Sequence, residues 1–206
     1  MKPAMQKQRT RIQSCITGVA ALAVALSISA APPRTDAVVP PAVPGDIQVP
    51  EGNVAFMVGH AVGTQNYVCL PSGGSFKYVL FTPQATLFNG REALTSHYFS
   101  PNPQEDGAIR ATWQHLHDGS TVWAQAVQPS TDSRFVAPGA IAWVLLKVKG
   151  RVAGPDGGNA LTGTSFIQRV NTTGGSAPAS GCSAQADVGT QAFIPYTADY
   201  FFFKGP

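Results

Sequence analysis

Short runs of apolar or alternating residues, separated by turn residues, make up the chain from about residue 50 onward, and no window shows a helical period. This pattern predicts β-strands, which we place at 54–60, 64–70, 76–82, 94–99, 109–116, 121–128, 141–149, 164–171 and 197–203. Their spacing is typical of a sandwich or a barrel. We expect an all-β fold, an antiparallel β-sandwich or jelly-roll-like single domain.

The alternation is clearest on either side of the turn Asp118-Gly119. Before it, Ala111, Trp113 and His115 share one face of a strand, and a second alternating run follows the turn. Asp-Gly between two alternating runs predicts a β-hairpin. The run 141–146 is continuously apolar instead, which predicts a strand covered on both faces.

The amino terminus has the pattern of a secretory signal peptide over residues 1–31. Four basic residues precede an uncharged, Ala-rich run, and small residues that suit cleavage lie at about 29–37. An uncleaved membrane anchor is the alternative, because the run approaches the ~20 residues needed to span a bilayer. Its composition and its small terminal residues favour the signal peptide. We therefore expect a secreted or periplasmic protein without a membrane span after cleavage.

A proline-rich segment at 32–46 predicts an extended linker, and residues 47–206 predict a single β-rich domain. The whole chain has 14 basic and 11 acidic residues. Four of the basic residues belong to the leader, so the rest of the chain has a formal charge close to zero. This balance argues against a nucleic-acid partner.

Two cysteines, Cys69 and Cys182, remain after the leader. In an oxidising compartment two such thiols usually form a disulfide, and that is our prediction. Free thiols or a metal pair are the alternative, but neither cysteine has a second Cys or His at ligand spacing.

Several motifs occur in an order that resembles one family. They are Gly63-Thr-Gln-Asn-Tyr-Val-Cys69, Ser96-His-Tyr98, Trp113 with Asp118-Gly-Ser-Thr-Val122, Ile141-Ala-Trp-Val-Leu-Leu146, Phe166-Ile-Gln-Arg-Val-Asn-Thr-Thr-Gly-Gly175 with Cys182, and Tyr196-Thr-Ala-Asp-Tyr200. Together they resemble the exported bacterial and fungal proteins of domain-of-unknown-function family 3455. The resemblance implies a secreted single-domain protein without an established activity. The link 100–110 is longer than in the family pattern, and His115 and His117 are not part of that pattern.

Histidines suggest a metal hypothesis. His115 and His117 form a His-x-His pair, which a strand would direct to one face, and His97 on a neighbouring strand could complete an open site. Histidines at the surface or in a turn are the simpler explanation, since His117 adjoins Asp118-Gly119. We expect no metal ion.

For catalysis the candidates are His97, Asp118 and Ser120. Asp118-Gly-Ser120 is first of all a turn, and the chain has no nucleophile elbow. Asp118 with Asp199 is the carboxylate pair to inspect for glycosidase chemistry. No dinucleotide-binding motif occurs, and we expect no cofactor.

Aromatic residues offer a non-enzymatic alternative. Trp113, Trp123, Tyr98 and the run 200–203 could form a platform for a glycan or a lipid, although core packing explains most of them. Trp123 is the exception, because it shares a strand face with Thr121 and Gln125 and is therefore expected on the solvent side.

The stretch from Ser165 to Cys182 combines a strand, a glycine-rich bend and a cysteine, which predicts a structural clasp. Gln168 and Arg169 fall on opposite faces of this strand, so one of the two is expected to be covered. If Arg169 is covered, we expect it to pair with Asp199 or Asp118, because a covered arginine needs a carboxylate. An anion-binding role for Arg169 is the alternative. Our candidate binding residues are thus Trp123, Tyr98 and Arg169.

From the sequence we expect a cell-envelope or extracellular binding or stress-related module. The alternative is a hydrolase or metal-dependent enzyme that uses His97, His115 and Asp118.

Overall fold

The computed structural model describes residues 37–206, in which eight antiparallel strands follow one another as hydrogen-bonded neighbours. They are β1 (Val54–Ser72), β2 (Ser75–Asn89), β3 (Glu92–Asn102), β4 (Ala108–His115), β5 (Thr121–Ser130), β6 (Trp143–Val152), β7 (Thr164–Gly174) and β8 (Gln191–Lys204). β1 also pairs with β8, so the sheet closes into a barrel. The prediction of an all-β antiparallel domain is confirmed, but the expected sandwich or jelly roll is wrong.

The closure depends on the length of β1, which has 19 residues and pairs with a different strand on each edge. The sequence pattern predicted two strands here, interrupted near Gly63. The strand continues because Gly63 lies where β1 comes so close to Gln84 and Ala85 that a Cβ atom would clash with them. Glycine therefore marks a close approach of two backbones, not a turn.

Apolar side chains on one face of the strands fill the barrel interior. This core draws on every strand except β3, and its largest fully buried side chains include Leu87, Trp113, Ile167, Tyr200 and Phe202. A contiguous cluster supplied from all around a closed sheet has to lie inside it.

A second apolar cluster covers the outside of β6, β7 and β8. Trp143, Leu145 and Val170 belong to it and alternate with inward residues on the same strands. Ile47, which is fully buried in a short 3-10 turn, and Val136 pack over them. The prediction that the run 141–146 is covered on both faces is confirmed. Residues 38–49, in the proline-rich region, contribute Val38, Val43 and Val49 to this outer layer.

The disulfide between Cys69 and Cys182 is formed, with Cα atoms 5.5 Å apart. Cys69 is fully buried in the long β1–β2 hairpin, whereas Cys182 lies in the segment that joins β7 to β8. Gly174 and Gly175 adopt positive φ angles of 60° and 80° at the end of β7, which is the predicted glycine-rich bend. The stretch from Ser165 to Cys182 therefore ties the late chain to β1, as the sequence predicted.

No helix among residues 37–206 has the length and the apolar character needed to cross a membrane. The predicted leader, residues 1–31, and the first part of the predicted linker lie outside the described residues.

Candidate functional site

A cavity of about 300 Å³ lies in the barrel interior, and its lining is mainly apolar. Its walls include Leu80, Phe99, Ile109, Ala111, Val144 and Leu146. Polar groups reach this lining from strands around the barrel, among them Gln65 on β1, His97 on β3, Arg110 on β4, Gln125 on β5, Arg169 on β7 and Tyr200 on β8. A mostly apolar concave surface with a few convergent polar groups is the usual form of a small-molecule site.

Strand alternation explains why Arg169 lines the cavity. Ile167 belongs to the interior core, and Val170 belongs to the outer cluster. Arg169 is two residues from Ile167, so it lies on the inward face of β7. It stands opposite Tyr200 in the β7–β8 register, and Tyr200 belongs to the interior core as well.

His97 and Trp113 are likewise opposite each other, in the β3–β4 register. Their rings stack with centroids 4.2 Å apart, and the Tyr200 ring lies 5.2 Å from that of His97. Nδ1 of His97 lies 2.9 Å from the carbonyl oxygen of Thr112. A carbonyl only accepts, so Nδ1 carries the proton and donates it, and Nε2 has the free lone pair.

Burial lowers the pKa of His97 to about 3, since the side chain is cut off from bulk water and the charge of Arg169 opposes protonation further. The hydrogen bond to Thr112 acts in the opposite sense but does not outweigh burial. His97 is therefore neutral at physiological pH. Within the described residues, its Nε2 forms no hydrogen bond and can accept one.

Within the described residues, the guanidinium of Arg169 forms hydrogen bonds on one side only. Nε and Nη2 donate to the carbonyl oxygen of Ala142, at 3.3 and 2.8 Å. Among residues 37–206, no carboxylate lies within 4 Å of it. The expected ion pair with Asp199 or Asp118 is therefore wrong, because both carboxylates are held elsewhere.

Gln65 is only 1% exposed, and within the described residues its amide nitrogen forms no hydrogen bond of good geometry, although it lies close enough to the Tyr196 hydroxyl to lower the pKa of that phenol against the effect of burial. A buried amide left unpaired is costly, so most buried amides find partners. Gln65 was not among the candidate residues predicted from the sequence. A signal was present, since Gln65 follows Ala61 and Gly63 at two-residue spacing on the face of β1 that carries the interior core.

The hydroxyls of Tyr196 and Tyr200 lie 3.3 Å apart inside the barrel. Burial raises the pKa of Tyr196 well above its ordinary value, and the neighbouring Tyr200 adds to this effect. The Tyr196 phenol thus remains protonated and serves as a neutral hydrogen-bonding group.

Beside the cavity, the neighbouring strands β2 and β3 move apart and leave a gap in the barrel wall. β2 and β3 pair only over Ala85–Asn89 and Glu92–His97, although both strands extend further. Beyond that point a single hydrogen bond, from the Phe99 backbone N–H to the Thr82 hydroxyl, joins them. Leu80 and Phe99, on the two diverging strands, line the cavity at this separation.

The catalytic candidates Asp118 and Ser120 form a structural clamp at the β4–β5 turn. Asp118 accepts hydrogen bonds from the N–H and hydroxyl of Ser120 and from the N–H of Ala160. Burial raises the pKa of Asp118, but these hydrogen bonds outweigh it and hold the pKa well below its usual range. Ser120 is fully buried, and its Oγ accepts from the N–H of Leu161.

The other histidines of the metal hypothesis lie near the same turn. His115 Nδ1 is 3.0 Å from Asp118, and His117 Nε2 is 3.1 Å from Glu92. Neither lines the cavity that contains His97. In the part of the chain that the structure describes, no three His, Cys, Asp or Glu side chains are grouped closely enough to hold a metal ion.

The structure corrects the placement of Trp123. It lies on the outer face of β5, as its neighbours indicated, but it is only 8% exposed. Its indole N–H donates to the Ser100 hydroxyl at 2.8 Å, at the start of the link that is longer than in the family pattern. Tyr98 is half-buried and lines a separate groove formed by β1, β2 and β3. The alternative of an aromatic platform formed by Trp113, Trp123 and Tyr98 is therefore wrong, and the expected core packing is confirmed for Trp113.

Asp199 belongs to an outer cluster that the sequence did not predict. It accepts a hydrogen bond from the amide of Asn171 at 2.8 Å, and His60 Nδ1 lies 2.6 Å from its other oxygen. Asn171 has a positive φ of 51°, next to an irregularity in the β7–β8 register, and this turns its side chain toward Asp199. Neither Asp199 nor Asp118 lines the cavity, so they do not form a carboxylate pair across it.

Comparison with curated proteins gives no match, and comparison with solved structures gives none either. A family model does match, over residues 90–204, a range that runs from just before β3 to the end of β8. It includes His97, Arg169 and Tyr200, whereas Gln65 and Cys69 lie before it. The chain belongs to this family, described as a protein of unknown function (DUF3455).

Proposed function

We propose that this protein is a binding protein for a small, largely apolar molecule, which it holds in the barrel cavity. The observation that carries the proposal is the cavity of about 300 Å³ with apolar walls and inward polar groups. Eight-stranded barrels have an interior just wide enough to hold one small ligand when side chains do not fill it. Packed interiors otherwise contain few voids larger than a water molecule.

The binding role agrees with the sequence expectation of a binding module, but the site is different. Tyr98 and Trp123 lie away from the cavity, while Arg169 lines it. The ligand therefore enters the barrel and does not lie on an exposed aromatic platform.

The enzymatic alternative has less support. His97 faces the cavity, whereas Asp118 is occupied by the backbone of its own turn and by Ser120. A hydrolase that uses His97, His115 and Asp118 would need these groups around one substrate. His97 could serve only as a weak base, since its pKa is about 3.

Export remains part of the proposal. The disulfide between Cys69 and Cys182 favours an oxidising compartment, which agrees with the predicted leader. Mass analysis of the protein recovered from outside the cytoplasm should show a new amino terminus within about residues 29–37. An intact amino terminus there would contradict cleavage.

The binding proposal is tested with N-phenyl-1-naphthylamine, an uncharged dye whose fluorescence rises in an apolar site. We expect saturable binding to the wild-type protein. Ala111→Leu should weaken dye binding, because Ala111 lines the cavity and the larger side chain would fill part of it. Ala111 is only partly buried, so we expect the variant to fold. Ala186→Leu, an exposed position in the 3-10 turn Gln185–Asp187, is the matched control and should leave binding unchanged. Absence of saturable binding, or an equal loss in both variants, would contradict the proposal.

A further inference from the structure

We propose that the ligand of this cavity carries a carboxylate on its apolar body, and that the carboxylate binds Arg169 and Gln65. The inference rests on the proposed binding function and specifies the chemical class of the ligand.

The first argument is the charge balance of the cavity. Arg110 and Arg169 both line it, but Nε of Arg110 is 2.8 Å from a carboxylate oxygen of Glu105. Arg169 lacks such a partner among the described residues, and His97 is neutral. A covered cation without a counter-charge is unfavourable, because it has lost part of its hydration without gaining a partner. A ligand carboxylate would supply the missing negative charge.

The second argument is the unused hydrogen-bonding capacity of Arg169. A guanidinium has five N–H donors in a planar fork that matches the two oxygens of a carboxylate. Two donors of Arg169 point to the carbonyl oxygen of Ala142. This contact fixes the plane of the guanidinium and leaves the donors of Nη1 without a partner in the described residues.

Gln65 supplies an independent observation. Its side chain lines the same cavity, and its buried amide nitrogen has no hydrogen bond of good geometry within the described residues, where the Tyr196 hydroxyl is its nearest interaction partner. An NH₂ group can only donate. A ligand acceptor would satisfy it, and a carboxylate can accept from Gln65 and Arg169 together. The free Nε2 of His97, which accepts, would instead suit a hydroxyl or N–H elsewhere on the ligand.

The remaining walls define the body of the ligand. Leu80, Phe99, Ile109, Val144 and Leu146 present hydrocarbon or aromatic surface. The volume lies at the small end of the range of about 300–1,000 Å³ that is typical of small-molecule sites. A short fatty acid and a two-ring aromatic acid share the required chemistry, so the test includes both.

The test compares acids with their uncharged amides, in competition with the same dye and by direct calorimetry. The probes are octanoate with octanamide, and 2-naphthoate with 2-naphthamide. Hydrogen bonds to charged groups contribute enough to change an affinity by about tenfold or more. We expect at least one acid to bind about tenfold more tightly than its amide. Which pair shows the larger difference separates a fatty body from an aromatic one.

Variants then locate the preference. Arg169→Gln should reduce the acid-to-amide ratio to about one, measured by direct calorimetry. Arg134→Gln is the control, since Arg134 is exposed and pairs with Asp132 in a surface loop. Arg169 also contacts Ala142, so Arg169→Gln could fail to fold. Gln65→Leu keeps the cavity apolar and should lower acid affinity about fivefold relative to amide affinity.

The outcomes distinguish the two proposals. If the dye binds but acids and amides compete equally, the carboxylate inference is overturned and the binding function stands. If the acid preference persists in both Arg169→Gln and Gln65→Leu, the inference is overturned as well. If neither the dye nor any probe binds the wild-type protein, the binding function itself is contradicted.

Discussion

The imidazole of His97 lies parallel to the indole of Trp113, with ring planes 10° apart and centroids separated by 4.2 Å. The ring of Tyr200 packs against both, with its centroid 5.2 Å from that of His97 and 5.5 Å from that of Trp113. Together with the hydrogen bond to Thr112, this packing fixes the histidine ring. The barrel therefore presents a rigid acceptor, Nε2, instead of a mobile acid or base.

The protonation of His97 predicts a pH dependence of stability. Its pKa is lowered to about 3 in the folded protein, whereas an unfolded histidine has a pKa near 6.5. Below about pH 6.5 the unfolded chain binds a proton that the folded chain does not, so stability falls as pH falls toward 3. From pH 7 to pH 5 we expect a loss of about 2 kcal/mol in the free energy of unfolding, measured with urea. His97→Phe should remove most of this difference, and an unchanged pH dependence in that variant would refute the assignment.

Removing the disulfide should destabilise the protein. Cys69→Ala with Cys182→Ala opens a closed loop with a sequence separation of 113, and we expect a loss of about 2–5 kcal/mol in the free energy of unfolding. Alkylation without reduction, followed by mass measurement, should detect neither Cys69 nor Cys182 as a free thiol. Two labelled thiols, or equal stability of the double variant, would contradict the bridge.

We expect Asp118 to stabilise the fold instead of taking part in catalysis. Asp118→Ala removes the acceptor for Ser120 and Ala160, and we expect a loss of about 1–3 kcal/mol in stability from the unpaired groups. Asp156→Ala, an exposed carboxylate in a nearby loop, is the control and should change stability by less than about 0.5 kcal/mol.

Dye binding by the folded Asp118→Ala variant should equal that of the wild type, because Asp118 does not line the cavity. Loss of binding with the fold intact would instead favour the enzymatic alternative around Asp118.

The buried amide of Gln65 should lower the stability of the protein when no ligand is bound. Gln65→Leu removes a buried amide that lacks a partner in the described residues and adds apolar contact, so we expect thermal denaturation to show a gain of about 1 kcal/mol. A loss of stability would mean that the amide has a structural partner, and it would weaken the argument that Gln65 serves a ligand.

The sequence predicted local features well and long-range ones poorly. The hairpin at Asp118-Gly119 and the two-sided burial of the run 141–146 follow from alternation and turn chemistry alone. Barrel closure requires β1 to pair with β8, more than 100 residues later, and no local pattern indicates this. The predicted break between the strands 54–60 and 64–70 was wrong for the same reason, since β1 continues through Gly63 next to Gln84 and Ala85 of the neighbouring strand.

The candidate site was predictable only in part. The strand pattern predicted only that Gln168 or Arg169 is covered, and the carboxylates assumed as partners of Arg169, Asp199 and Asp118, find other contacts. His97 was singled out for metal chemistry, whereas its burial beside Trp113 depends on the β3–β4 register. Gln65 was missed because the predicted break between the strands 54–60 and 64–70 separated it from Ala61, with which it shares the inward face of β1.

The three tryptophans allow a direct measurement of where a ligand binds. Trp113 lines the cavity, whereas Trp123 and Trp143 lie on the outer side of the barrel. Each indole N–H gives its own signal in a ¹H–¹⁵N NMR spectrum, so titration with 2-naphthoate and octanoate reports the three places separately. We predict a saturable shift of the Trp113 signal, with those of Trp123 and Trp143 nearly unchanged. No shift with either acid, or a larger shift at Trp123 or Trp143, would contradict a ligand site inside the barrel.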